Sequence, residues 1–142
     1  MTCSLEYNQI LADGDYDFIT NKLIAEAAEL AQKPGSHRYG WLLRDLQRNI
    51  IAGLVAFHTW EWFYIDLFWV NKDHRRQGWG GRLLASVEAK AKELNCVGLH
   101  TWTQSWQAPE FFSRFGYEKY YRLSDIPRGH MRYGYRKFLA DA

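Results

Sequence analysis

The stretch from His74 to Leu84, HRRQGWGGRLL, places three arginines and three glycines where a helical pattern begins. The glycines lack a Cβ atom and accept positive φ, so successive backbone amides can turn towards one ligand. Arg75, Arg76 and Arg82 add charge beside the first turn of the helix, whose N–H groups have no intrahelical partners. Residue types at this spacing are suited to holding a phosphate or pyrophosphate.

Two common phosphate-binding patterns do not fit this stretch. The Gly-x-Gly-x-x-Gly of a dinucleotide fold follows the first strand, whereas three predicted strands come first here. The P-loop requires Gly-Lys followed by Ser or Thr, whereas this chain has GGR. Neither pattern accounts for the order Arg-x-x-Gly-x-Gly, which lies between an apolar strand and a helix. The alternative is that the glycines only allow close packing of the strand and the helix.

A second feature is an acid inside an apolar strand. Asp66 lies within FYIDLFWV and shares strand parity with Tyr64 and Phe68, so the three side chains are expected to face one side. An acid is not selected there for its β propensity. Asp66 is therefore a candidate general base. The alternative is that it pairs with an arginine of a neighbouring strand or caps a loop.

The first half of the chain must supply the elements that position these residues. CSLEYNQIL (3–11) predicts a strand, and DGDYDFITNKLIAEAAELAQK (13–33) predicts a helix stopped by Pro34 and Gly35. Three β-rich runs follow, RYGWLLRD (38–45), NIIAGLVAFHTW (49–60) and WFYIDLFWV (62–70). Their short polar connections are typical of an antiparallel meander.

The second half begins with a helix that runs to about Asn95 and is followed by a buried strand, CVGLHTW (96–102). APEFFSRF (108–115) predicts a short helix, and YEKYYRL (117–123) and MRYGYRKFL (131–139) predict two more strands. Strand, glycine loop, helix and strand form a βαβ unit. We therefore expect one mixed α/β domain over residues 1–142, with a mostly antiparallel, twisted sheet of six to seven strands and about four helices.

Charge, hydropathy and cysteine content argue against several classes of protein. A formal charge of +2, with bases and acids interleaved, does not indicate a nucleic-acid binder. The chain has no apolar run long enough to cross a membrane and no secretory signal. Cys3 and Cys96 form neither a disulfide framework nor a metal-ligand spacing. We expect a cytoplasmic protein without a metal, and exposed sheet edges are compatible with a homodimer.

Residues 67–84 resemble the acyl-CoA-binding motif of GNAT-type N-acetyltransferases, Gln/Arg-x-x-Gly-x-Gly/Ala. QAPEFFSRFGYE is similar to the second signature of that family, a short helix that ends in an apolar residue, a glycine and an aromatic at Phe115, Gly116 and Tyr117. Strand order and chain length agree over nearly all residues. The resemblance implies transfer of an acetyl group from acetyl-CoA to a primary amine of a small molecule, or of a peptide or protein, by direct attack in a ternary complex.

The resemblance also implies which residues hold acetyl-CoA. The strand that ends at Val70 separates from its neighbour and pairs its backbone with the pantetheine arm, and the glycine loop binds the pyrophosphate. The implied cofactor residues are Phe68, Trp69, Val70, Arg75, Arg76, Gln77, Gly78, Trp79, Gly80, Gly81 and Arg82.

The resemblance implies that Asp66 is the base, but it leaves the proton donor to the thiolate open. The tyrosine that fills this role in the family aligns with Phe112, which has no hydroxyl. Tyr117 is our candidate, Tyr120 and Tyr121 are alternatives, and the thiolate can also leave without a protein donor. The alternative function is a non-catalytic acyl-CoA-binding or sensory module.

Aromatic residues predict the groove for the acceptor amine. Ring faces attract cations and flat ligands, and the candidates are Trp60, Trp62, Trp102 and Tyr120. Some of these rings can instead belong to the core. The loop SDIPRGHMR brings together Arg128, His130 and Arg132, which we interpret as a solvated turn rather than as a site for an acidic acceptor.

Overall fold

The computed structural model describes residues 2–31 and 35–140, and the chain divides into two compact units, one up to residue 34 and one from Gly35 onward. The first unit contains helix α1 (Asp13–Leu30), whose first turn carries Asp13 and Asp15 beside the positive end of the helix dipole. The predicted helix is thus confirmed up to Leu30, and the predicted stop at Pro34 lies outside the described residues. The predicted strand over 3–11 is wrong: this stretch pairs with no strand and takes no regular structure.

The second unit is built on a six-stranded sheet in the order β1-β2-β3-β4-β6-β5. Its strands are β1 (Ser36–Arg44), β2 (Ile50–Thr59), β3 (Trp62–Val70), β4 (Gly98–Gln104), β5 (Glu118–Ser124) and β6 (Met131–Phe138). Every neighbouring pair is antiparallel except β3 and β4, which are parallel. The mostly antiparallel sheet with one βαβ unit is confirmed.

Two helices cover one face of this sheet. Helix α2 (Trp79–Glu93) buries Leu83, Leu84, Val87 and Ala91, and the short helix α3 (Glu110–Arg114) buries Phe112. These side chains pack with the buried residues of the central strands, among which Phe63 and Tyr135 are the largest. The described residues hold three α-helices and one 3-10 turn (Lys72–His74), whereas about four helices were predicted. None of the described helices has the length and apolar character that a membrane span requires.

The parallel pair opens soon after it begins. β3 and β4 pair only from Trp62 with Gly98 to Tyr64 with His100. At the next position the Thr101 hydroxyl donates to the Ile65 carbonyl at 2.8 Å, in a buried bond that replaces strand pairing. Beyond this point β3 has no described partner strand on that side. The separation of the two strands, implied by the family resemblance, is therefore confirmed.

A β-bulge in β3 lies at the opening. Val55 pairs with Leu67 and Ala56 pairs with Ile65, so Asp66 is the extra residue between them. The bulge reverses the alternation of side chains along the strand. Phe68 packs against the core, on the α2 side, and does not share a face with Tyr64. The prediction that Tyr64, Asp66 and Phe68 face one side is wrong, because strict alternation holds only in an unbulged strand.

Candidate functional site

The loop between β3 and α2 presents a row of unsatisfied backbone amides. Gly78 precedes the helix with φ of 84°, in the left-handed region that glycine adopts most easily. Within the described parts of the chain, the amides of residues 76–81 donate no hydrogen bond, and the first loop-to-helix bond is from the Arg82 amide to the Gly78 carbonyl at 3.1 Å. These donors are therefore free to bind an anion.

Positive charge surrounds these amides. Arg75, Arg76 and Arg82 are exposed, and none of them forms an ion pair with any described residue. The Arg75 Nε atom donates to the Val70 carbonyl at 2.9 Å, which ties the loop to the end of β3. The first turn of α2 carries no acidic residue, in contrast to that of α1. An anion here would meet the helix dipole and three cations, and the first turn of α2 adds no competing carboxylate.

The aromatic residue of the loop is held from two sides. The Trp79 indole N–H donates to the Gln77 side-chain oxygen at 3.2 Å, and the Arg82 guanidinium lies 4.6 Å from the centre of its ring. These contacts order the side chains of all three residues around the start of α2. The loop is thus preorganised on its side-chain surface as well as along its backbone.

The three glycines of the loop are needed for different structural reasons. A Cβ atom on Gly78 would meet nothing within 4 Å, so this position needs glycine for its φ alone. A Cβ on Gly81 would come within 2.9 Å of the Phe115 ring, and one on Gly80 within 3.1 Å of the Phe111 ring. The packing explanation, which the sequence analysis kept as the alternative, therefore applies to Gly80 and Gly81. Both glycines let α3 lie directly against the start of α2.

The last residues of β3 continue the same site. Phe68 packs edge to face on Phe111 and Phe112, while Trp69 is exposed. Trp69 also lines a shallow surface pocket together with Asn71, Lys72, Asp73 and Arg75. The open edge of β3 thus runs from the bulge at Asp66 to the free amides of the loop, and an extended ligand can contact both.

Asp66 is exposed at the bulge, close to the open face of the sheet. We use "open face" for the face that points away from α2. Tyr64 lies on it, with its ring 5.1 Å from His100. Burial raises the pKa of Tyr64, and the negative charge of Asp66 raises it further. Asp66 therefore acts electrostatically on a phenol of the open face.

Tyr117 lies on the opposite side of the sheet. Its side chain is buried among core residues, and its hydroxyl donates to Glu88 Oε1 at 2.9 Å. Lys137 Nζ lies 3.2 Å from the same carboxylate oxygen. Burial raises the pKa of Tyr117 strongly, and the adjacent Glu88 raises it further. The structure does not bring Tyr117 together with Asp66, and these contacts favour a structural role.

Phe112 occupies the middle of the helical side of the core. It is buried against Tyr117, Tyr135 and Phe68. No hydroxyl therefore comes from this helix position, as the sequence indicated. The Tyr135 hydroxyl is buried and has no hydrogen-bond partner among the described residues.

The predicted aromatic residues of the acceptor groove divide between two regions. Trp102 and Tyr120 are partly exposed on the open face, where Arg132 and Arg136 stack on their rings at 3.7 and 4.8 Å from the ring centres. Trp62 instead packs against Gly98, His100 and Phe138, further along the sheet. Trp60 lies in the turn that joins β2 to β3, with φ of 50°.

Part of this face was not predicted as a site from the sequence. Arg132 was grouped with Arg128 and His130 as part of a solvated turn, although the predicted strand over 131–139 includes it, and it lies inside β6, where it pairs with Gln104 of β4. Gly134, two residues further, lies under the ring of Tyr121. The alternation Arg132, Gly134, Arg136 within a β-rich run is the signal that could have placed all three on one face.

The comparisons with known proteins agree with this geometry. The family model described as "Acetyltransferase (GNAT) family" matches residues 9–117. Blasticidin-S acetyltransferase of Streptomyces morookaense is 40% identical over 82 residues, which are 57% of this chain. The matched segments span 60 to 64% of the length of the curated relatives.

Solved structures extend the likeness over the fold. The crystal structure of an acetyltransferase from Bacillus cereus superposes with a TM-score of 0.87 over 94% of this chain and 98% of that chain, at 26% identity. A candidate streptothricin acetyltransferase from Bacillus anthracis, solved in complex with acetyl coenzyme A, gives a TM-score of 0.62 at 25% identity and covers 80% of this chain and 68% of that one. With its free-amide loop, open β3 edge and matching family model, the chain belongs to the acetyltransferase (GNAT) family.

Proposed function

We propose that this protein is an N-acetyltransferase that moves the acetyl group of acetyl-CoA to a primary amine of a small molecule, by direct attack in a ternary complex. The observation that carries the proposal is the continuous track from the bulge of β3, along its open edge, to the unsatisfied amides of residues 76–81. Acetyl-CoA is a long molecule with a thioester at one end and a pyrophosphate further along. Its thioester would lie near the bulge, and its pyrophosphate would lie at the unsatisfied amides. Blasticidin-S acetyltransferase, a relative whose name states a small-molecule acceptor, supports the substrate class.

The residues of the track fit acetyl-CoA, which supplies an activated acetyl group as a thioester. Arg75, Arg76 and Arg82 and the amides of 76–81 would hold the pyrophosphate, assisted by Gln77 and Trp79. The backbone of Phe68, Trp69 and Val70 would pair with the pantetheine arm. Backbone N–H groups of this open edge would also stabilise negative charge on the acetyl oxygen.

Asp66 would take the proton of the amine. A free alkylamine has a pKa near ~10 and is mostly protonated at neutral pH, so its nitrogen must give up a proton before it can attack, and Asp66 would accept that proton. Attack forms the nitrogen–carbon bond and breaks the carbon–sulfur bond. The thiol that leaves has a pKa near ~8.5, so it departs as a thiolate at modest cost, and the proton that the nitrogen releases as the amide forms reaches it through water. Phenylalanine at position 112 is compatible with this chemistry.

A panel of amines tests the proposal. The purified protein is incubated with acetyl-CoA and polyamines, aminoglycosides, amino acids, short peptides or blasticidin S, and both thiol release and acetylated product are measured. We expect acceptor-dependent thiol release with a stoichiometric product for at least one small amine. Binding of acetyl-CoA without product from any acceptor would favour the non-catalytic binding module, for which the buried Phe112 is the motivating observation.

The Tyr117→Phe variant tests the role of Tyr117. Loss of the hydrogen bond to Glu88 is expected to lower the free energy of unfolding by about 1 kcal/mol and to leave kcat unchanged. Because the folded protein holds the pKa of Tyr117 above its unfolded value of ~10, its contribution to stability is present below pH ~10 and is lost as the pH rises further. The variant should therefore lose less stability above pH ~10 than the wild type. A large fall in kcat at unchanged stability would instead identify Tyr117 as the proton donor.

A further inference from the structure

One arginine of the open face is held rigidly but has no counter-charge. Arg132 Nε donates to Gln104 Oε1 at 3.1 Å. Gln104 is itself buried and fixed, because its Nε2 donates to the Ile126 carbonyl at 2.7 Å and its amide N–H donates to the Gln107 side chain at 2.9 Å. The inner edge of the guanidinium is thus fixed by a glutamine that cannot move freely.

The rest of the guanidinium is oriented but unsatisfied. Its carbon lies 3.7 Å from the centre of the Trp102 ring, so one face is stacked. Among the described residues, no carboxylate lies within ion-pair distance of Arg132, and its two terminal Nη groups donate no hydrogen bond. Arg132 is half-buried, so water compensates this charge less than it does for a fully exposed arginine. A fixed fork with both Nη groups free is the arrangement that binds a carboxylate end-on.

Arg136 on the same strand differs in this respect. It forms an ion pair with Glu118 and stacks on Tyr120, so its charge is already matched. Three residues separate the paired arginine from the unpaired one, and both point to the open face. Of these two arginines of β6, only Arg132 has no counter-charge among the described residues.

The surroundings of Arg132 form the walls of a site. The ring of Tyr121 lies on Gly134, where any Cβ atom would overlap it. Burial raises the pKa of Tyr64, Asp66 raises it further, and Arg132 lowers it, so both charges act on one phenol. Arg132 also lowers the pKa of Tyr121, which burial raises. Asp66 and Arg132 thus both lie within electrostatic range of Tyr64.

We propose that the acceptor carries a carboxylate as well as an amine on a flat body, and that Arg132 binds this carboxylate. The inference rests on the proposed acetyl transfer, because Asp66 would receive the amine of the same molecule. The indole of Trp102 and the ring of Tyr121 would flank its body. Arg132 is thereby a specificity-determining residue that selects amphoteric acceptors over simple amines.

Direct binding, measured without turnover, tests this proposal. The probes are three matched pairs: phenylalanine and phenylalaninamide, tryptophan and tryptophanamide, and 4-(aminomethyl)benzoate and 4-(aminomethyl)benzamide. Affinities are measured by chemical-shift titration of the ¹⁵N-labelled protein with CoA present. For at least one pair we expect the carboxylate to bind about ten-fold more tightly than the amide, since a charge-assisted, bidentate contact distinguishes them.

Substitutions of Arg132 and Arg136 test which residue causes the preference for the carboxylate over the amide. R132Q should abolish the difference between carboxylate and amide, R132K should retain only part of it, and R136Q should leave it intact because Arg136 is already paired with Glu118. Melting temperatures check that each variant is folded, and R132K covers the case in which R132Q is not. Equal binding within every pair, binding of no carboxylate, or a preference that survives in R132Q would overturn the proposal. A failure of acetyl transfer alone would overturn the proposed function and would leave this binding preference as measured.

Discussion

Replacement of Asp66 by asparagine is expected to lower kcat for acetyl transfer by about 100-fold or more at neutral pH, the usual contribution of a positioned general base. Asparagine has nearly the same shape and keeps the bulge of β3, but it cannot accept the proton of the amine. The affinity for acetyl-CoA should not change, because the pyrophosphate loop is built from other residues.

The pH profile makes this test more specific. As the pH approaches the pKa of the free amine, near ~10, a growing fraction of the acceptor is already neutral, and the defect of Asp66→Asn should shrink. Glu93→Gln is a matched control, since Glu93 is an exposed acid whose ion pair with Lys90 lies at the far end of α2. A wild-type kcat in Asp66→Asn, or an equal loss in Glu93→Gln, would contradict the role of Asp66.

The second large effect is expected at the start of α2. Arg75→Glu removes a cation, adds an anion and breaks the bond to the Val70 carbonyl that ties the loop to β3. We expect the Kd for acetyl-CoA, measured by calorimetry, to rise about 10-fold to 100-fold, the range for loss of a hydrogen bond between charged groups. The increase should be larger at low salt than at high salt.

Arg122→Glu provides the control for this charge reversal. Arg122 is exposed on the edge strand β5, away from the loop, and the substitution changes the net charge by the same amount. An equal loss of affinity in both variants would mean that only the overall charge of the protein matters. It would then contradict a local pyrophosphate site.

The conformation of the glycine loop before α2 could be predicted from the sequence because its signal is local. Three glycines, neighbouring arginines and the start of an amphipathic pattern all lie within eleven residues, and they require the same backbone conformation. The structure confirms a turn at Gly78 and unsatisfied amides up to residue 81. Even so, the sequence could not separate the glycine that needs a positive φ from the two that receive the rings of α3, because those rings arrive from a distant segment.

The face occupied by each strand residue was less predictable. The bulge at Asp66 depends on how β2 and β3 pair, and no residue type in FYIDLFWV indicates that a bulge forms there. Once the alternation reverses, Phe68 turns into the core and Tyr64 stays on the open face. The surroundings of Tyr117 could not be predicted for a similar reason, since only the packing of α2 shows that its hydroxyl donates to Glu88.

Strand pairing between distant segments also determined the structure of two stretches whose local sequence was not sufficient to predict it. CSLEYNQIL has strand-like composition, but it finds no partner edge and forms no strand. Arg132 lies at the boundary between a Pro/Gly loop and the predicted strand over 131–139, and only the pairing of β4 with β6 shows that it belongs to the sheet, beside Trp102. Both outcomes depend on tertiary contacts that a local pattern does not contain.

Hydrogen exchange of the backbone amides, with and without acetyl-CoA, tests the central claim most directly. In the free protein the amides of residues 76–81 have no acceptor and should exchange quickly, like the open edge of β3 beyond Asp66. Saturating acetyl-CoA is expected to slow exchange in both segments together and to leave the edge strand β5 unchanged. Protection confined to other parts of the chain, or no protection at a concentration that saturates binding, would contradict a site formed by the loop and the opened strand.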